Sequence, residues 1–272
     1  MIIENSSRQY HVGALVAETA EYRLYLCSQE AGGSEQLLQI ATDVAHNGEL
    51  DRAAYILRLL LERSDELEGK YAQVKTDERD MLNHQLGFPS LVDSFVLAGQ
   101  GNRRVNILGF RNVEDVRAMV PLSNITKRDH RRVDLRTSVW ILGKTLKTLF
   151  LAHGMGLTNN QMASGNFLLE LKEHYVVVFN WASAQKHPDG VSREDASSEI
   201  KLVAQAVIEV LGGTMEGGIP DDGTKDHLTY VRHLMHLARN GNDSAFDAHQ
   251  SFYKLADQLW PRGYHPFTTL PL

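Results

Sequence analysis

Cysteine is almost missing from this chain. Cys27 is the only one in 272 residues, so no internal disulfide can form, and a reducing, cytoplasmic setting is expected. A basic excess is missing as well. Lys and Arg number 28 against 34 Asp and Glu, for a net charge of -6, which gives no positive field for nucleic acid or an anionic membrane surface. No uninterrupted apolar run reaches the roughly 18 residues that a membrane helix needs. The opening MIIENSSRQYH lacks the basic and apolar regions of a secretion signal. Glycines are scattered: neither a phosphate loop ending in Gly-Lys-Ser/Thr nor a Gly-x-Ser-x-Gly nucleophile turn occurs. There is no internal repeat and no low-complexity tract. What remains is 43% hydrophobic and 23% charged, enough apolar content for one large domain or two lobes.

Periodicity divides that content into a β-rich first part and a helical second part. His11 to Gln29 reads as two strands joined through Glu18-Thr19-Ala20-Glu21. A turn at Gly32-Gly33-Ser34 leads to a short strand, Glu35 to Ala41. Asp51 to Leu67 has Ala54, Leu57, Leu60 and Leu61 near one face, as a helix requires. A strand ending at Leu97, a turn at Gly99-Gln100-Gly101-Asn102 and a strand from Arg104 to Phe110 make a second hairpin. Val113 to Pro121 reads as a short helix. Helices are then expected over Asp134–His153, Glu199–Gly213, Lys225–Arg239 and Asp243–Leu259. The tail from Trp260 to Leu272, with its aromatics and prolines, lies extended on the body or offers a partner motif.

The most informative stretch starts at Gly156: GLTNNQMASGNFLLELKEHYVVVFNWASA. A polar loop runs to Asn166, an apolar run follows, Lys172-Glu173-His174 turns the chain, and a second apolar run stops at Asn180-Trp181-Ala182. This layout resembles the catalytic and metal-binding loops of protein kinases, in which His-Arg-Asp, a downstream Asn and Asp-Phe-Gly carry the chemistry. Aligned on Asn166, the first triplet falls on Asn159-Asn160-Gln161 and the second on Asn180-Trp181-Ala182. The resemblance, to kinases of the bacterial Ser/Thr type, spans roughly Tyr10 to Leu259. It implies an α+β, two-lobed kinase-like fold in one domain, a small β-rich lobe over residues 1–111 and a hinge with a mainly helical lobe over 112–272.

The same alignment implies a degenerate site. Gln39 stands at the lysine of Val-Ala-Ile-Lys, and Ala53, within Arg52-Ala53-Ala54, stands at the glutamate that pairs with it. Gln161 stands at the catalytic base, where an amide oxygen has no useful basicity. Asn180 stands at the main magnesium ligand, giving a dipole where a charge was. Asn166 alone matches by identity, and it also serves as ordinary turn chemistry. The loop tip at Glu18 and Glu21 offers carboxylates where kinases use bare glycine backbone. Glu199 stands at an aspartate of the buried large-lobe helix. The implied function is that of a pseudokinase, a protein-binding or regulatory module with no catalytic residues. Gln39, Asn166 and Asn180 would line a remnant nucleotide cleft with no metal and weak or no Mg-ATP binding. The alternatives are an atypical phosphotransferase using Asp189, Glu194 or Asp195, and a small-molecule sensor built on the vacated cleft. His227, His233, His236 and His249 are close in sequence, but without Cys or a fixed carboxylate among them they read as surface histidines rather than metal ligands.

Overall fold

The computed structural model describes residues 2–5, 8–29, 33–77, 82–221, 223–261 and 263–272. Gly32, in the expected Gly-Gly-Ser turn, lies outside them. The fold is mixed α/β. The chain divides into two compact units: Met1–Ala118 with Asn180–Ala184, and Met119–Phe179 with Gln185–Leu272.

The first unit is built on strands β1 (Ile2–Asn5), β2 (Arg8–Glu18), β3 (Tyr22–Ser28) and β4 (Gln36–Ala41), helix α1 (Asn47–Val74), then β5 (Ser90–Leu97) and β6 (Arg103–Gly109). The strands form one antiparallel sheet in the order β1-β2-β3-β4-β6-β5. Because side chains alternate along a strand, Leu38 and Ile40 join Tyr10, Cys27, Val105 and Ile107 in one buried cluster. Leu37 and Gln39 take the opposite face. α1 packs on β4, β5 and β6 through Leu50, Ala53, Ala54, Leu57 and Leu60.

α1 begins four residues before, and ends seven residues after, the Asp51–Leu67 expectation. Its start is fixed by Asn47, whose side chain donates to the Asn102 carbonyl (2.8 Å) and accepts from the Arg104 amide (2.7 Å). Its last turns carry no continuous apolar stripe, which is why the period fades near Leu67. Glu66 instead bridges Arg63 and Lys70 at i−3 and i+4, the surface pairing that sustains a polar helix.

The second unit opens with β7 (Val120–Pro121), α2 (Leu122–Lys127), β8 (Arg131–Val133) and α3 (Leu135–Gly154). Next come β9 (Leu157–Thr158), β10 (Phe167–Glu170), β11 (Tyr175–Val178) and β12 (Gln185–Lys186). Helices α4 (Arg193–Val210), α5 (His227–Asn240) and α6 (Ala245–Leu259) and strand β13 (Thr269–Pro271) complete it. β10 and β11 form the expected hairpin, with Phe167 opposite Val178, and β7 pairs on the far side of β10. The short helix expected over Val113–Pro121 is not there: a single 3-10 turn, Val116–Ala118, precedes β7. Pro121 starts a helix instead of ending one. It precedes the first residue of α2, at a helix entrance where a missing N–H removes nothing from the ladder.

α4 begins at Arg193, six residues ahead of expectation. Ser192 caps it, accepting from the Asp195 amide (3.0 Å) and donating to the Asp195 carboxylate (2.7 Å), while Glu194 and Asp195 face the positive helix end. The polar segment after Ala182 is correspondingly shorter than the expected Ser183–Ser198. α3 and α6 approach closely at Gly143, where a Cβ would stand 2.6 Å from the Tyr253 ring. The tail runs extended as expected, with β13 pairing β8.

Candidate functional site

In the second unit the loop between β9 and β10 is organised around one carboxylate. Glu199, on α4, is 3% exposed. Its Oε1 accepts from the backbone amides of Asn159 (2.7 Å) and Asn160 (2.6 Å), and its Oε2 lies 2.9 Å from His153 Nε2 at the end of α3. A buried carboxylate is costly unless donors surround it; here two amides and an imidazole do. The loop enters through Gly156, whose φ of 71° and 2.7 Å distance from a would-be Cβ to the His187 carbonyl leave no room for a side chain.

The amides of the loop then close it. Asn159 Oδ1 accepts from the Gln161 backbone amide (3.0 Å) and from Asn166 Nδ2 (3.3 Å), and Asn166 Nδ2 also donates to the Gln161 carbonyl (3.0 Å). The Asn166 carbonyl accepts from the Phe179 amide (2.9 Å). Asn166 therefore ties the loop and joins it to the end of β11, whereas the Gln161 side chain sits on an exposed residue. Ser164 donates to Glu209 Oε2 (2.5 Å), and Lys127 pairs with Glu209 Oε1 (2.9 Å).

The first unit holds the other two expected positions. Gln39 is 2% exposed, beneath α1. Its Oε1 accepts from Asn106 Nδ2 (3.4 Å), which also donates to the Leu50 carbonyl (2.9 Å), while Asn106 Oδ1 accepts from Ser94 (2.6 Å). The register places Gln39 directly opposite Asn106, so this neutral ladder crosses β5, β6 and β4 and reaches the helix. Ala53 is buried on α1. Asn180 makes a local turn, its Oδ1 accepting from the Ala182 amide (2.9 Å). Arg52 donates to the Ala182 carbonyl (2.9 Å), fastening that turn to α1, and Trp181 between them is 1% exposed.

Sequence reasoning missed Asn106 and the roles of Arg52 and His153. The polar Asn106 within the apolar second half of β6 (VNILG) was the available signal for the first. Of the carboxylates considered as substitute acids, Asp195 is taken by the α4 cap, Glu194 is exposed in the same first turn and Asp189 is exposed. The four histidines have separate neighbours: His227 lies 3.9 Å from Asp221, His236 bonds Asn240 (3.0 Å), His233 meets Phe252, and His249 meets Tyr253. Among the described residues no three His, Cys, Asp or Glu side chains gather to hold a metal, and no helix is long and apolar enough to cross a membrane. The sequence matches no protein-family model and no curated protein.

Proposed function

We propose that this protein is a degenerate, kinase-like binding module that regulates a protein partner by contact and transfers no phosphate. The observation that carries the reading is the neutrality of the Gln39–Asn106–Ser94 ladder. The resemblance assigns Gln39 to a cation that grips phosphate, yet Gln39 is a buried amide whose oxygen is engaged by Asn106. Asn180, assigned to the metal ligand, likewise accepts from the Ala182 amide. Magnesium requires hard, preferably anionic oxygens, so a magnesium–nucleotide group does not fit this donor set. Charge-assisted hydrogen bonds are about twice as strong as neutral ones. Replacing two of them weakens ATP affinity by an order of ten- to a hundredfold.

The element order supports the resemblance: five antiparallel strands and a helix over residues 8–109, then the long α3, the β9 loop, the β10–β11 hairpin and α4. Glu199 supports it too, since the residue aligned with a large-lobe aspartate holds the loop aligned with the catalytic loop. The partner surface we favour is the exposed side of α1, where Tyr55 is 51% exposed beside Arg58 and Glu62. The tail is a poorer candidate, since its strand is paired with β8.

The test is genetic complementation with variants of unchanged stability. Asn180→Ala and Gln161→Ala are expected to preserve function, while Tyr55→Ala with Arg58→Glu abolishes it. Loss of function from Asn180→Ala in a stably folded protein overturns the reading.

A further inference from the structure

The second unit carries a cavity of about 840 Å³ between α3, α6, the β10–β11 turn and the tail, well within the size of small-molecule sites. Its wall is unusual in composition. Trp140, His174 and Tyr264 stack in series, with centroids 4.6 and 4.7 Å apart and planes within 4° and 7°. Tyr253 and Trp260 also line the space. His174 reaches this position from a left-handed backbone, φ 59°, a conformation that a side-chain-bearing residue adopts at a cost and that is found disproportionately at ligand sites.

The slab holds two unanswered polar atoms. Trp140 Nε1 and His174 Nε2 are buried with no hydrogen-bond partner, and His174 itself is 9% exposed. Leaving such groups unmade is unfavourable, but both atoms are closed to solvent, so the cavity presents the rings and not these atoms. The charges favour an anion. Arg136 and Lys254 line the cavity against one acid, Asp257. Lys144, one turn beyond Trp140 on α3, is largely desolvated, and it and Lys147 act electrostatically on His249 in the same wall. Desolvation and Lys144 lower the His174 pKa against the opposing pull of Glu170 and Glu173. Aromatic faces also attract cations, but these ammonium and guanidinium groups oppose one here.

We infer that the cavity binds a small aromatic carboxylate, its ring against the Trp140, Tyr253 and Tyr264 walls and its carboxylate on the Arg136 and Lys254 cations. This site lies wholly within the second unit and does not depend on the kinase-like reading.

Calorimetric titration of the full chain with indole-3-acetate, benzoate, benzyl alcohol, acetate and tryptamine tests it. Both aromatic carboxylates are expected to bind below millimolar concentration. The alcohol and acetate should be at least about tenfold weaker, the effect of losing one charge-assisted contact or the ring, and tryptamine should not bind. Arg136→Gln and Lys254→Gln keep most of the side-chain length and remove the charge. Each should weaken indole-3-acetate by about tenfold with an unchanged urea midpoint. Absence of binding by either carboxylate at millimolar concentration overturns the inference. So does tryptamine binding as tightly, or wild-type affinity in both variants.

Discussion

Two buried polar networks, one in each unit, treat charge in opposite ways. Around Gln39 every participant is neutral: two amides, a hydroxyl and a backbone carbonyl. Around Glu199 a carboxylate is retained and held by two backbone amides and an imidazole. A buried charge is tolerated only where several donors converge on it, and convergence is what a loop reversing over the start of a helix provides. On the sheet, Asn106 lies between Gln39 and Ser94 of the two neighbouring strands, and a neutral amide pair suits that geometry without needing an outside counterion. Charge persists here where it orders backbone, and the sheet network around Gln39 does without it.

Breaking the charged network should have the larger effect. Glu199→Ala leaves the Asn159 and Asn160 amides and His153 without their acceptor and is expected to cost about 3–5 kcal/mol in urea unfolding. Glu199→Gln, which still offers an oxygen, should cost about 1–2 kcal/mol, and the Asn159 and Asn160 amides should exchange hydrogen faster in both. Equal costs for the two variants would mean that shape, not charge, holds the loop. The neutral network should break more gently. Asn106→Ala is expected to cost about 2 kcal/mol, and the double change Gln39→Leu with Asn106→Leu should recover most of it, because an apolar pair leaves fewer polar groups unmet. Failure to recover would mean that the ladder contributes more than mutual satisfaction. Asn166→Ala, which loses two weaker loop bonds, should cost about 1 kcal/mol.

Cys27 gives a titration check on the packing of the first unit. Burial pushes its thiol up to about 12 from an ordinary value of 9.0. The folded pKa lies above the unfolded one, so this contribution to stability is complete below about pH 9 and is lost as pH rises toward 12. At pH 8 a thiol reagent should react slowly with the native chain and rapidly in urea, since the thiolate is the reactive form. Rapid native labelling would mean that the β3 side of the core opens.

The main strands and long helices were legible because they rest on periodicity, the loose alternation of β2 and β3 and the apolar stripe of α3, whereas β1 and α2 were not expected. Helix ends were less so. α1 outran its stripe through Arg63, Glu66 and Lys70, and the early start of α4 was written in Ser192-Arg193-Glu194-Asp195, a capping signature that hydrophobic periodicity ignores. Pro121 illustrates a different limit: proline marks either end of a helix, and only tertiary context chooses. At the candidate site, residue types were readable but their partners were not. Gln39 meets Asn106 through strand register, and Glu199 meets Asn159 across 40 residues; neither pairing leaves a local trace. The aromatic cavity is less legible still, since Trp140, His174 and Tyr264 come from a helix, a turn and the tail.

The comparison of the two networks comes down to whether the neutral positions hold a charged ligand. Calorimetric titration with ATP, with and without magnesium and alongside adenosine, measures that directly. Very weak ATP binding that magnesium does not improve, at an affinity comparable to adenosine, is the predicted result. Magnesium-dependent ATP binding in the micromolar range would contradict it.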